Sequence, residues 1–311
     1  MRLILSAYYE PRFRDSSHGF RPDRGCHTAL ASVKKFKGAT WFIEGDIRGC
    51  FDNIDHAMLL RILARDITDG RLLNLIRMNL EAGYLESWQY HRTYSGTPQG
   101  GVLSPLLANI YLNELDVFVE DVLIPRYTRG NKRKANPEYQ RLNFSISVAR
   151  KADDDAKAQE LDRQRRSMPS QDTRDEGFRR LRFIRYADDF LLALTGPKNE
   201  AEAIKVEVGA FLKESLHLEM STSKTLVTHA RTAHARFLGY AISTYHADDK
   251  LVPHTGTPIK TRAVNGAIRL GIPYGRVDEL MNRYLRDSKP VQDSALIDYP
   301  DAEIIEVFQQ R

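Results

Sequence analysis

Cysteine is almost missing from this chain of 311 residues: only Cys26 and Cys50 occur, in no metal-ligand spacing. That argues against a disulfide scaffold or a structural zinc and fits a reducing, intracellular setting. Long apolar runs are lacking too. No uninterrupted stretch nears the roughly 18 residues needed to span a bilayer, and the N-terminus shows no signal-peptide pattern, so no membrane partner is expected. A convincing Ser/His/Asp or Cys/His arrangement for covalent catalysis is also absent. Charge of one sign is scarce overall, with a net of only +5. It is unevenly placed, however. Residues 126–180 hold fifteen Lys/Arg against nine Asp/Glu, which leaves the rest of the chain slightly acidic. Such a segment suits contact with a polyanion, and it equally suits a solvated, partly disordered insertion.

What is present reads as alternating short strands and amphipathic helices. A helical piece and an arginine-studded Gly/Pro loop open the chain, and a helix is expected over His27–Phe36 with Ala31, Val33 and Phe36 buried. Trp41-Phe42-Ile43 begins a strand ending at Asp46. Helices follow with Met58, Leu59, Ile62 and Leu63, then Leu72, Leu73, Ile76 and Leu80, at helical spacing. Gly96-Thr97-Pro98-Gln99-Gly100-Gly101 is a loop that a ligand can approach closely. Ser104-Pro105 marks a helix start, the hydroxyl expected as cap, with the helix running to about Leu123. A charged helix near 151–166, a helix over 200–216 and strand material from Leu216 to Val227 and at Phe237–Ile242 complete the pattern. It is an α+β pattern: a small antiparallel sheet covered by helices.

Asp188-Asp189 lies between the apolar flanks Leu181–Ile184 and Leu191–Leu194, which places it at a hairpin tip. Two like charges on a turn repel unless something positive relieves them. Taken alone the dipeptide is explained by a solvated turn, and Asp46 by a carboxylate capping the next turn. If the fold brings Asp46 to the hairpin tip, the result is a hard, oxygen-rich site suited to Mg²⁺. Two such ions support in-line phosphoryl displacement, which needs no nucleophilic side chain.

YADD between apolar strands, FIEGDIRGCFDNIDH, GTPQGGVLSPLLANIYLNELD, SHGFRP and FLGY occur in the order found in reverse transcriptases. In detail the chain resembles the enzymes encoded by group II introns, the intron maturases, over nearly all of residues 1–250. The resemblance implies a right-hand polymerase fold. It divides into partial helical fingers (1–40), fingers and palm (41–125), a basic insertion (126–180), palm (181–278) and the start of a thumb (279–311). It implies RNA-directed DNA polymerase activity using two Mg²⁺ ions, with Mn²⁺ as substitute. Asp46, Asp188 and Asp189 match the metal-binding carboxylates, with the Ile47 carbonyl as a further ligand. Phe51 matches the aromatic gate that excludes a 2′-hydroxyl, against the plainer reading of a core aromatic. Gln99 and Gly100 match the nucleotide-facing loop, Lys224 a lysine near the triphosphate, and Phe237-Leu238-Gly239-Tyr240 the segment supporting the primer end. Arg21 is expected to face template backbone or nucleotide. His18 and His56 are expected to be structural.

Arg126, Arg129, Lys132, Arg133 and Lys134, interleaved with Tyr127, suit contacts to RNA phosphate. The implied partners are intron RNA, an RNA template with DNA primer, deoxynucleotides, and target DNA through parts outside this chain. A homodimer would cover a surface that a fingers segment otherwise hides. The implied setting is the bacterial cytoplasm, in association with nucleoid or ribonucleoprotein. The family's usual basic fingers segment before SHGFRP is not in this sequence, so activity of this stretch alone is expected to be weak or absent. Two alternatives remain: an RNA-binding splicing cofactor with dispensable polymerase activity, and another bacterial reverse transcriptase of retron or diversity-generating type.

Overall fold

The computed structural model describes residues 1–86, 89–91, 95–97, 101–172, 175–221, 224–246, 251–253, 260–262, 266–273, 275–276, 285–286 and 289–290. In chain order the first half comprises α1 (Arg2–Tyr9), α2 (Cys26–Val33), β1 (Trp41–Asp46), the single turn α3 (Cys50–Asn53), α4 (His56–Ala64) and α5 (Gly70–Glu81). The hairpin β2–β3 (Tyr84–Glu86, Gln89–His91) and the long α6 (Ser104–Phe118) follow. Helix α6 runs on through a π turn at Val119–Leu123 into α7 (Ile124–Tyr127). Pro125 has no N–H to donate back along this helix, and the wider π turn just before it accommodates that loss. Ser104 is the first residue inside α6, not its cap. Leu103 takes the cap position without a side-chain bond, and Pro105 remains in the first turn.

Two helices make up most of the described basic segment. Asn136 caps α8 (Pro137–Lys151) by accepting from the Glu138 amide at 3.0 Å, and Pro137 supplies the preset first turn. Asp154 caps α9 (Asp155–Ser167) in the same way. The helix expected near 151–166 is present as α9, and α8, which was not foreseen, packs against it as a hairpin in which Ile146, Ala149 and Ala158 are buried. Bridges between Arg129 and Arg179 and between Ala135 and Gln171 close its base, and ion pairs from Arg126 to Glu207 and from Arg129 to Glu200 tie it to the helix that carries both glutamates.

Next come β4 (Arg180–Tyr186), β5 (Asp189–Thr195), α10 (Lys198–Leu216), β6 (Val227–His229), β7 (Ala235–Phe237) and β8 (Tyr240–Tyr245). Short strands β9 (Leu251–Pro253), β10 (Lys260–Arg262), β11 (Ala267–Gly271), β12 (Leu285–Arg286) and β13 (Lys289–Pro290) complete the described chain. The central sheet has the order β4-β5-β1-β6 and is antiparallel throughout. A second sheet pairs β11, β8 and β7. The expected strand over Leu216–Val227 is confined to β6. Before it, His217 takes a left-handed turn, and Leu218 is buried in the core instead of pairing in the sheet.

Strand β5 is apolar at nearly every position because both faces of the sheet are covered. On one face Phe183, Phe190, Leu192 and Leu194 meet Ile43 and the buried sides of α6 and α10. On the other, Phe42, Ile184, Leu191 and Ala193 meet Leu30 and Val33 of α2 together with Phe237 and Ile242. In α2 the buried positions are Ala29, Leu30 and Val33; Ala31, expected inside, is exposed. Gly45 sits opposite Phe190, and a Cβ there would lie 2.0 Å from the Phe190 ring, so the aromatic fills the space the glycine leaves.

Candidate active site

The antiparallel register of β1 and β5 fixes the geometry: it ends with Asp46 paired to Asp189. Tyr186 pairs with the same Asp189 from β4, which makes Ala187-Asp188 a two-residue turn. Ala187 stands at φ 55°, a left-handed conformation in which an alanine costs about 1–2 kcal/mol. Three things hold it there. Arg185 Nη1 donates to the Ala187 carbonyl at 2.8 Å. The Gly19 backbone lies so close that a Cβ on it would be 2.4 Å from the Ala187 nitrogen. Asn109 in turn donates to the Gly19 carbonyl at 2.8 Å.

Asp46, Asp188 and Asp189 therefore converge at one edge of the sheet. Burial raises the Asp188 carboxyl above its usual range, and Asp46 adds to the effect. Asp189 is pushed up to about 6 by burial, then by the charges of Asp188 and Asp46 and a hydrogen bond with Asp46. Lys224 Nζ stands 3.1 Å from Asp46 Oδ2, and Asp46 raises its pKa first by hydrogen bonding and then by charge. Its side chain is otherwise 68% exposed. Ile47 bridges Met220 in a pair whose bonds run from Arg48 N–H to Glu219 and from Ser221 N–H to Asp46. In such a pair the Ile47 carbonyl takes no part and faces the opposite flank, where β5 begins.

Among the described residues no three His, Cys, Asp or Glu side chains stand in ready ligating geometry. The donor set nonetheless fits a hard divalent cation. Asp188 and Asp189, both raised by burial and by neighbouring carboxylates, are short of positive charge, and among the described residues the ion pair to Asp46 comes from a lysine whose side chain is largely in solvent.

Phe51 lies on α3, five residues after Asp46, and is half-buried with its ring edge-on to Phe20. Gly49, in a left-handed conformation at φ 53°, allows the tight turn from β1 into α3. The loop leading toward Gln99 is fastened to the same turn. Thr97 N–H donates to the Phe51 carbonyl at 2.7 Å, Ser95 Oγ to Asp52 and Gly96 N–H to Ile54. Only a glycine fits at Gly96, where φ is 81° and a Cβ would lie 2.4 Å from the Phe51 oxygen. His56 Nε2 donates to the Gly96 carbonyl at 2.6 Å, a structural role as expected. Gln99 and Gly100 themselves lie outside the described residues.

Phe237 ends β7, and Leu238 (φ 52°) and Gly239 (φ 79°) form a two-residue hairpin turn with both residues left-handed, leading into Tyr240. Leu238, Tyr240 and Tyr186 pack against the same core as buried Phe237, which joins this hairpin to the YADD strand.

Arg21 departs from expectation. Its side chain is 5% exposed, Nε is 2.6 Å from Glu10, and Nη1 donates to the carbonyls of Arg14 and Ser17. With its donors spent inside the protein, it braces the SHGFRP loop and does not face a nucleotide. His18 is buried behind it, with Nδ1 against Thr28 Oγ1 at 2.9 Å. The basic cluster also divides. Arg126 pairs with Glu207, Arg129 pairs with Glu200, and Arg133 is half-buried over the Phe178 ring. Lys132 and Lys134 are exposed.

The residue that sequence reasoning passed over is Arg185. It is fully buried and donates to Asp116, Asn109, Ser17 and Ala187. Its position directly before YADD was the available signal, but its acidic partner lies on α6, far away in sequence.

The Reverse transcriptase (RNA-dependent DNA polymerase) family matches residues 1–128. Over 327 aligned residues the chain is 41% identical to the group II intron-encoded protein LtrA of Lactococcus lactis subsp. cremoris, covering 99% of this chain and 53% of the relative. It is 40% identical over 248 residues to an uncharacterized 91 kDa protein in the cob intron of Schizosaccharomyces pombe, covering 78% and 30%. It is 31% identical over 249 residues to protein YkfC of Escherichia coli, covering 78% and 58%. The chain thus spans about half the length of LtrA. Among solved structures, apo telomerase from Candida tropicalis, truncated from its C-terminal domain, superposes with a TM-score of 0.46 at 14% identity, covering 78% of this chain and 42% of the other. Residues 1–128 thus match the reverse transcriptase family, and over 99% of its length the chain is similar to a group II intron-encoded protein.

Proposed function

We propose that this chain is the RNA-directed DNA polymerase core of a group II intron maturase, adding deoxynucleotides to a primer 3′-hydroxyl on an RNA template. The observation that carries this is the pairing of Asp46 with Asp189 at the end of the β1–β5 register, with Asp188 on the adjoining turn. Reverse transcriptases in general use divalent metals, and Mg²⁺, replaceable by Mn²⁺, is the ion proposed here. Asp46, Asp188, Asp189 and the Ile47 carbonyl would hold two of them. When bound, such ions activate the attacking hydroxyl and stabilise the departing oxygen.

The protein's own groups do the positioning. Phe51 sets the floor of the sugar site and leaves no room for a 2′-hydroxyl. Lys224, mobile and charged, neutralises triphosphate as a point charge. Gln99 and Gly100 form the wall facing base and template, and Phe237–Tyr240 steadies the primer end. Arg21 is left out of this set because its donors are used internally. The fingers, palm, insertion and thumb divisions of the sequence reading are retained as proposals.

Beyond polymerisation, intron RNA is the proposed partner, bound in part through Lys132 and Lys134 and assisting splicing. Target DNA would be met by parts outside this chain, and the setting would be the bacterial cytoplasm. The test is extension of a DNA primer annealed to an RNA template with Mg²⁺ and deoxynucleotides. Product that copies the template supports the reading. Splicing stimulation without templated product would favour the cofactor alternative instead.

A further inference from the structure

Phe20 is exposed where an aromatic has no ordinary reason to be. The residue is 57% exposed and its backbone stands at φ 57°. A bulky residue in the left-handed region is a genuine outlier, and such strain persists only where the surroundings impose it. Here they do. Ser17 bridges Arg185, His18 N–H donates to the Arg185 carbonyl at 2.9 Å, and Gly19 is pressed against Ala187. The residue before Phe20 is thus clamped to the turn that carries Asp188. Burial does not repay the strain, since more than half of Phe20 remains in water. What Phe20 does gain is a partner: its ring lies 6.0 Å from that of Phe51 at 82°, an edge-to-face contact.

Phe51 needs such a partner. It sits on a single helical turn between Gly49 and Ile54 and is half-buried, with one side packed against the main core, so the other side of the ring is held by what packs on it from outside. Exclusion of one hydroxyl by a ring works only if the ring cannot swing aside.

We propose that Phe20 is a positioning residue for Phe51, holding the ring where it discriminates deoxynucleoside from ribonucleoside triphosphates. Sugar selection is then a property of the Phe20–Phe51 pair, coupled through Gly19 and Ala187 to the carboxylate turn. The inference rests on the polymerase reading above and on Phe51 as the gate.

The test is the ratio of kcat/KM for a deoxynucleotide over its ribonucleotide in RNA-templated extension, for wild type, Phe20→Ala, Phe20→Tyr and Phe51→Ala. Phe20→Ala is expected to lower the ratio about threefold to tenfold, the range one aromatic edge-to-face contact supplies. Phe20→Tyr keeps the ring and should restore the ratio. An unchanged ratio in Phe20→Ala beside a relaxed ratio in Phe51→Ala overturns the proposal while leaving the gate intact. An unchanged ratio in Phe51→Ala removes the gate itself. A second readout needs no turnover: 3-fluorophenylalanine at position 51 followed by ¹⁹F NMR. Phe20→Ala should sharpen the resonance as the ring flips faster, and an identical line shape in both proteins would also overturn the proposal.

Discussion

Arg185 and Asp116 form a two-point ion pair, Nε to Oδ1 at 2.7 Å and Nη2 to Oδ2 at 2.6 Å, with both side chains wholly buried. The pair joins α6 to the strand that ends in the carboxylate turn. Removing one partner leaves a buried charge unpaired, which typically costs about 3–5 kcal/mol. Asp116→Asn and Arg185→Ala should each lower the urea midpoint strongly. The double variant Arg185→Met/Asp116→Leu, which removes both charges, should lose much less. Equal loss in all three would show that the charges are not what matters.

His18 makes stability depend on pH. Burial first, then the charges of Arg24 and Arg21, lower its pKa from the usual 6.5 to about 4. Between these values the unfolded chain binds a proton that the folded protein refuses, so stability rises with pH in that window and falls on acidification. Above about pH 6.5 both states are neutral and the contribution is flat. The loss by pH 4 is on the order of 3 kcal/mol. Chemical denaturation of His18→Gln from pH 7 to pH 4 should show a correspondingly shallower decline than wild type.

Lys224 occupies the place of a cation beside Asp46. Lys224→Ala should tighten Mn²⁺ binding, measured by calorimetry, about two- to fivefold, the scale of an exposed ion pair. The same variant should extend primers more slowly, because the charge proposed to face triphosphate is gone. Weaker Mn²⁺ binding would contradict the arrangement.

The basic segment should not behave as a uniform patch. Arg126 and Arg129 are paired with Glu207 and Glu200, whereas Lys132 and Lys134 are exposed. In salt-titrated binding to intron RNA, Lys132→Gln with Lys134→Gln should reduce the slope of log K against log salt by about 1.4–1.8. Arg126→Gln with Arg129→Gln should change it by less. A reversed ranking would place the RNA elsewhere.

Much of the site was legible because its elements are local. The apolar run of β1, the two strands around YADD and the spacing from Asp46 to Phe51 are all written within a few residues. The register that sets Asp46 against Asp189 was not, since strand pairing across such a separation leaves no local trace; motif order supplied it instead. Arg21 misled for the opposite reason. An arginine in a Gly/Pro loop looks solvated, and nothing nearby announces that Glu10 will bury it. Helix α8 went unforeseen because Asn136-Pro137, its cap and first turn, is a dipeptide that serves loops equally well. Leu218 and Met220 looked like strand residues because an alternating apolar pair satisfies either a strand or a chain crossing over the core.

The most direct test is RNA-templated primer extension with Mg²⁺, comparing wild type with Asp188→Asn at matched primer–template affinity. Asparagine keeps the size of the side chain and removes the charge, so folding and binding should survive. The account predicts that templated extension falls about a hundredfold to a thousandfold, the scale of a lost preorganised electrostatic group. Extension by Asp188→Asn at the wild-type rate would contradict it.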